Sequence, residues 1–263
     1  IEQRHRACDL GIGEVALGGG DDDRLALARR KQRACRAGGG RRRALGARAR
    51  HFAAPLNRSG LGTPEGLERA TREDVAECWK AWARPTGSII GVAGAVRVEE
   101  VMARLEGLLR GWEGAPPMVQ RGAAPARGYA HEADQSKQVH VVVVHDAPAE
   151  PHPDAVHEKV VASVLSGGMA GRLFSEVREK RGLCYAVSAG YRGDRDFGAV
   201  SAYVGTTPER AQQSLDVLAQ ELARINDPAR GAVTREEFER AMTGMKSRLV
   251  FSGESTAARA ATV

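Results

Sequence analysis

From His51 onward the chain alternates between two hydrophobic periods, one near 3.6 and one near 2. Val98, Val101, Met102, Leu105, Leu108 and Leu109 recur on one side of a 3.6-residue period, which predicts a helix over 98–112. A second helix is predicted from Thr71 to Ala83. Thr71 can cap it, Asp74 stands three residues on as in a capping box, and Pro85 ends it. Short apolar runs bounded by turn residues predict strands at Ser88–Ala93 and Gln138–Val144. Two more, Cys184–Tyr191 and Gly198–Val204, flank the turn Gly193-Asp194-Arg195-Asp196 and read as a hairpin. Helices are predicted over 153–165, 172–180 and 207–225, and from Thr234 to Leu249 with Glu237 three residues after its start.

This succession of strands and helices predicts an α+β fold, a layered repeat with a mostly antiparallel sheet and helices packed against it. Gly114–Gly128 carries Pro116, Pro117 and Pro125 among small residues and reads as a linker. The expected organisation is therefore a segment 1–50, a unit 51–113, a linker 114–128 and a second unit 129–263.

Charge sets the first segment apart. Residues 1–50 hold 13 Lys/Arg against 6 Asp/Glu, whereas the remaining 213 hold 26 against 27. The net charge of +6 is thus a local property. From Arg29 to Arg50 there are nine arginines, one lysine and no acid around Gly38-Gly39-Gly40, a text that opposes helix and repels itself. Poor order is expected there, and such text also arises from a shifted or divergent reading frame. Binding of nucleic acid through 29–50 is not favoured, because no aromatic is interleaved for base stacking. The longest apolar run, Val139–Val144, is far below the roughly 18 residues of a membrane span and is broken by His140. No membrane segment or signal peptide is expected. The four cysteines form no CxxC pair, which argues against a structural zinc site and favours a reducing, cytoplasmic setting.

Gly167–Tyr191 reads GGMAGRLFSEVREKRGLCYAVSAGY. The glycine pair, Arg172-Leu173-Phe174, Glu176-Val177-Arg178 and Arg181-Gly182-Leu183 followed by Tyr185 closely resemble a motif in the second repeat of pitrilysin/insulinase-type zinc metallopeptidases, including the mitochondrial processing peptidases. Leu61-Gly62-Thr63-Pro64-Glu65, the Thr71 helix start and Arg84-Pro85 resemble the end of the first repeat. Phe197–Thr206 and Glu236-Glu237-Phe238-Glu239-Arg240-Ala241 resemble the continuation of the second. The resemblance covers about 50–263 and makes 51–113 the end of the first repeat and 129–263 the second.

In that family the first repeat carries an inverted zinc motif, HxxEH, and a downstream glutamate. Two histidines and that glutamate hold zinc, and the motif's own glutamate activates water. None of the seven histidines here stands in that spacing. The downstream glutamate would fall near 29–33, a stretch without acid. No catalytic or metal-binding residue is therefore assigned in this chain, and zinc is expected in a partner subunit or in a missing upstream region. His131, His140, His145, His152 and His157 read as surface or strand-end residues; His140 and His145 face opposite sides of one strand.

The resemblance further implies that an arginine and a tyrosine seven residues apart, here Arg178 and Tyr185, reach toward the zinc site of the facing repeat and bind substrate. A guanidinium and a phenol suit that role, since peptide hydrolysis develops negative charge on the scissile carbonyl oxygen. The plainer alternatives are a solvated helix charge for Arg178 and a sheet-packing aromatic for Tyr185. The expected function is a non-catalytic subunit or fragment of such a peptidase, acting on peptide substrates with a partner that bears HxxEH. The competing function is a structural scaffold of the same fold with no substrate, as in respiratory-complex core proteins.

Overall fold

A computed structural model describes residues 47, 49–60, 62–133 and 135–261. The basic segment's expected poor order, and most of the 29–50 stretch, lie outside the described residues. The chain divides into two compact units, Ile1–Pro125 with Phe251–Val263, and Ala126–Val250.

In the first unit α1 (Pro64–Arg69) starts on Thr63, whose hydroxyl accepts from the Gly66 amide. In α2 (Arg72–Trp82) the expected capping box is complete. Thr71 Oγ1 accepts from the Asp74 amide at 3.1 Å, and Asp74 Oδ2 accepts from the Thr71 amide at 3.0 Å. Leu67 and Ala70 form a small core with Val75 against them. The 98–112 helix is shorter than expected, as α3 (Val98–Leu108), with Gly111 in the left-handed region ending the turn that follows. Its apolar stripe stays largely open, with Val98 69% and Leu108 70% exposed.

The strand expected at Ser88–Ala93 does not form; the segment joins no ladder. An apolar run satisfies its backbone as a strand only when a neighbour supplies the other half of each hydrogen bond. Among the described residues of this unit no strand does so, and Ile89 stands 75% exposed.

The second unit holds the sheet. Strands β1 (Val139–Ala147), β2 (Ala186–Asp194) and β3 (Phe197–Thr206) pair antiparallel in the order β1-β3-β2. The hairpin expected from the sequence is present, closing at Asp194 opposite Phe197. Period-2 alternation sends Val141 and Val143 of β1 and Ala202 and Val204 of β3 toward one face. There α4 (Ala155–Ser166) and α5 (Ala211–Arg224) pack, and Leu165, Leu173, Val177, Leu183, Val217 and Leu218 complete the core. The opposite face carries His140, Ser201, Tyr203 and Gly205, since His140 pairs with Gly205 across the β1–β3 ladder.

The predicted 172–180 helix departs from regularity. Phe174–Glu179 is π-helical, with the Lys180 amide reaching back five residues to the Ser175 carbonyl at 2.9 Å. After the short α6 (Pro228–Gly231) comes α7 (Arg235–Glu254), longer than the expected 234–249, and then α8 (Thr256–Ala261).

Arg172, two residues before the π-helical stretch, is buried, and all three of its nitrogens donate. Its Nε donates to Glu237 Oε1 at 2.6 Å and its Nη2 to Glu237 Oε2 at 2.7 Å. Nη1 donates to the Gly231 carbonyl at 2.7 Å and Nη2 also to that of Ala232 at 2.9 Å. Glu237 also completes a capping box with Thr234, accepting from its amide at 2.9 Å. The Arg172 guanidinium, together with the Thr234 amide, holds the Glu237 carboxyl at about 2, against an ordinary 4.5, although burial opposes the shift. The folded state therefore favours the ionised form. This stabilisation is complete above pH about 4.5 and is lost as pH falls through that value toward about 2. Glu237→Gln is expected to lower the unfolding free energy at pH 7 by about 3 kcal/mol, because it leaves a buried guanidinium short of its counter-charge. Urea unfolding of parent and variant from pH 7 down to pH 3 should show the two curves converging as the acid limb is entered.

Candidate functional site

The π-helical segment and the turn after it hold the two residues singled out in the sequence, Arg178 within the segment and Tyr185 just past the turn. Gly182 sits at φ 59°, a left-handed conformation that costs a side-chain-bearing residue about 1 kcal/mol or more. Its amide donates to the Arg178 carbonyl at 2.9 Å, and the next amide, Leu183, donates to Val177 at 3.0 Å. The Leu183 carbonyl accepts from buried Thr206 Oγ1 at 2.5 Å and from buried Ser214 Oγ at 3.3 Å. The Tyr185 amide donates to the Gly205 carbonyl at 3.0 Å. Hydrogen bonds thus pin the 182–185 stretch to the π-helical segment, to β3 and to α5.

From this fixed turn the side chains point outward. Arg178 is exposed, its guanidinium 5.0 Å from the centroid of the Phe174 ring. The ring covers one guanidinium face; the N–H edge makes no side-chain hydrogen bond among the described residues and is free to donate. Glu176 pairs with Lys180 at 2.7 Å, and Arg181 joins it at 2.7 Å. Hydrogen bonds from Lys180 and Arg181 push the Glu176 carboxyl below the usual range. Arg178 takes no part in that cluster. Burial pushes the Cys184 thiol up in spite of the nearby Arg178 charge, so this cysteine is no thiolate nucleophile at neutral pH.

Tyr185 is 42% exposed and lies over the open face of the sheet. Its hydroxyl donates to Gln138 Oε1 at 3.2 Å and lies 3.3 Å from His140 Nε2. His140 Nδ1 in turn lies 2.7 Å from the Tyr203 hydroxyl. The phenol reaches this cluster because position 205 is glycine. A Cβ there would fall 2.6 Å from Tyr185 Cζ and 2.7 Å from the Tyr203 hydroxyl. Sequence reading treated His140 as a surface or strand-end histidine and missed Gln138 and Tyr203. The available signal was parity: Gln138 and His140 are two apart on β1, and Tyr203 and Gly205 two apart on β3.

No group of three or more His, Cys, Asp or Glu side chains that could hold a metal ion occurs among the described residues. Near Arg178 and Tyr185 the ligand-type side chains are His140, Cys184 and Glu176, the last already paired with Lys180 and Arg181, and they form no cluster that fits zinc. No helix among the described residues is long and apolar enough to cross a membrane. Gly205→Ala is expected to expel the Tyr185 ring from its place beside His140 while the β1–β3 ladder persists. A crystal structure, or loss of nuclear Overhauser contacts between Tyr185 and His140 with retained amide protection in β3, checks this.

The family model described as Peptidase M16 inactive domain matches residues 69–245. An uncharacterized zinc protease of Streptomyces coelicolor is 29% identical over 212 residues, covering 77% of this chain and 46% of that protein. An uncharacterized zinc protease of Mycobacterium leprae is 27% identical over 210 residues with the same two shares. The chain thus spans about half the length of these curated relatives. Among solved structures, a peptidase M16 inactive domain from Pseudomonas fluorescens superposes with a TM-score of 0.64 at 20% identity, over 85% of this chain and 56% of that one. A protease from Helicobacter pylori superposes with a TM-score of 0.67 at 15% identity, over 98% and 65%. These likenesses share the α+β fold, and the matched stretch contains the whole Gly167–Tyr191 motif. The chain belongs to the M16 peptidase family, as a representative of its inactive domain.

Proposed function

We propose that this chain is the substrate-facing, non-catalytic component of an M16-type peptide-hydrolysing assembly. Arg178 and Tyr185 donate to the scissile carbonyl oxygen as negative charge develops on it. The zinc and the water-activating glutamate belong to an HxxEH-bearing partner subunit or to an upstream region. The observation that carries this reading is the pairing of rigidity with exposure: one hydrogen-bonded turn holds the backbone while both donors face outward. Donors aimed in advance at a developing oxyanion need no reorganisation during the reaction, which is where such sites derive their effect. Membership of a domain family described as inactive, and relatives named as zinc proteases, agree with that division of labour.

The purified chain alone is expected to hold no stoichiometric zinc by elemental analysis and to leave a fluorogenic peptide uncut. Mixed with an HxxEH-bearing subunit from the same organism, it should stimulate cleavage of that peptide. Arg178→Ala and Tyr185→Phe should each reduce the stimulated rate by about 10²–10³, the usual cost of one lost oxyanion donor. Subunit association, read by size exclusion, should stay at the parent level. Full stimulation by both variants would favour the scaffold function, and loss of association would make the two side chains interface residues instead.

A further inference from the structure

We propose that His140 is a positioning residue for Tyr185: it donates to the phenol oxygen and so turns the phenol proton toward the position a substrate carbonyl would take. This rests on the reading of Tyr185 as a donor to substrate.

Proton bookkeeping supplies the direction. A phenol has one proton to give, and a neutral imidazole has one N–H and one acceptor nitrogen. Tyr185 gives its proton to Gln138 Oε1 at 3.2 Å. The contact between Tyr185 Oη and His140 Nε2 at 3.3 Å is then assigned as a bond from Nε2–H to the phenol oxygen, the tautomer that satisfies both contacts of the phenol. In that tautomer Nδ1 is an acceptor, and the Tyr203 hydroxyl 2.7 Å away is a donor placed to meet it. The chain of protons runs Tyr203, His140, Tyr185, Gln138, from the middle strand to the exposed edge. Each bond in such a series polarises the next, so a phenol that accepts from an imidazole N–H is a stronger donor at its own proton.

The sheet explains why these groups meet. His140 on β1 stands opposite Gly205 on β3, and Tyr203 is two residues before Gly205 on the same face. The missing side chain at 205 lets the Tyr185 ring lie across the ladder and reach the imidazole. His140 and Tyr185 rings meet edge to face with centroids 6.2 Å apart, and the His140 and Tyr203 rings lie 5.7 Å apart. Gln138 is exposed and stands at the sheet edge, so its amide oxygen holds the place of an incoming carbonyl. Displacing it exchanges one hydrogen bond for another and leaves the His140 bond intact.

The test uses the full chain labelled with 13Cζ-tyrosine, whose ring carbon responds to hydrogen bonding at the phenol oxygen. The Tyr185 resonance is assigned by its loss in Tyr185→Phe. His140→Ala and Tyr203→Phe are each expected to move it. His140→Gln, whose terminal NH2 stands near the Nε2 position, should return it toward the parent shift. With the HxxEH-bearing subunit, His140→Ala should lower kcat about tenfold and leave KM within twofold, since an orienting bond acts on the donor and not on substrate binding. A Tyr185 resonance unmoved by His140→Ala would overturn the proposal, as would an equal movement in His140→Ala and His140→Gln. If the resonance behaves as expected but Tyr185→Phe stimulates cleavage fully, the hydrogen-bonded chain stands and the substrate-facing reading of Tyr185 falls.

Discussion

The second unit depends on closing one long loop around a buried charge. Arg172 and Glu237 lie 65 residues apart and meet through two parallel hydrogen bonds, and two carbonyls of the 231–232 turn take two of the three other guanidinium N–H groups. A guanidinium this deeply buried is tolerated only when its donors are met, because water is no longer there to meet them. The requirement is therefore geometric as well as electrostatic. It fixes the start of the Gly167–Tyr191 motif against the start of α7. Glu237 adds to this by capping the helix that carries it. Arg172 stands two residues before the π-helical stretch, so the orientation of Phe174 and Arg178 follows from where this pair is held.

Downstream of that anchor, the molecule separates what must be rigid from what must be open. The backbone of 182–185 is bonded to Val177, Thr206, Ser214 and Gly205, all four buried. The side chains of Arg178 and Tyr185 lie outside that framework. Stacking on Phe174 restrains the guanidinium without using its N–H edge, and the imidazole of His140 restrains the phenol without using its proton. Both restraints limit motion of a donor while leaving it able to donate. That combination suits transition-state recognition, because ordering a long side chain at the moment of reaction would otherwise cost conformational entropy.

Much of this was legible in the chain itself. Capping residues, proline stops and turn residues act within four or five positions, so α2 with its capping box, the β2–β3 hairpin and the helical character of 155–166 and 211–224 followed from local pattern. The motif from Gly167 to Tyr191 carried the family, and the resemblance implied Arg178 and Tyr185 as its candidate site residues. What local pattern could not decide were matters of partnership. Ser88–Ala93 has the composition of a strand, yet a strand exists only where another backbone answers its hydrogen bonds. The 172–180 stretch reads as an ordinary helix, but backbone bonds that reach five residues, such as that from Lys180 to Ser175, widen it into a π-helical turn. The pairing of Arg172 with Glu237 and the line from Tyr203 through His140 to Tyr185 join residues 45 to 65 positions apart. Such contacts depend on strand register and on a missing Cβ at Gly205. The sequence by itself therefore determined the family motif and the locally encoded elements, because residue type and short spacing are local properties. Only the tertiary structure decided which of them touch, because contact across a sheet is set by how distant segments pack.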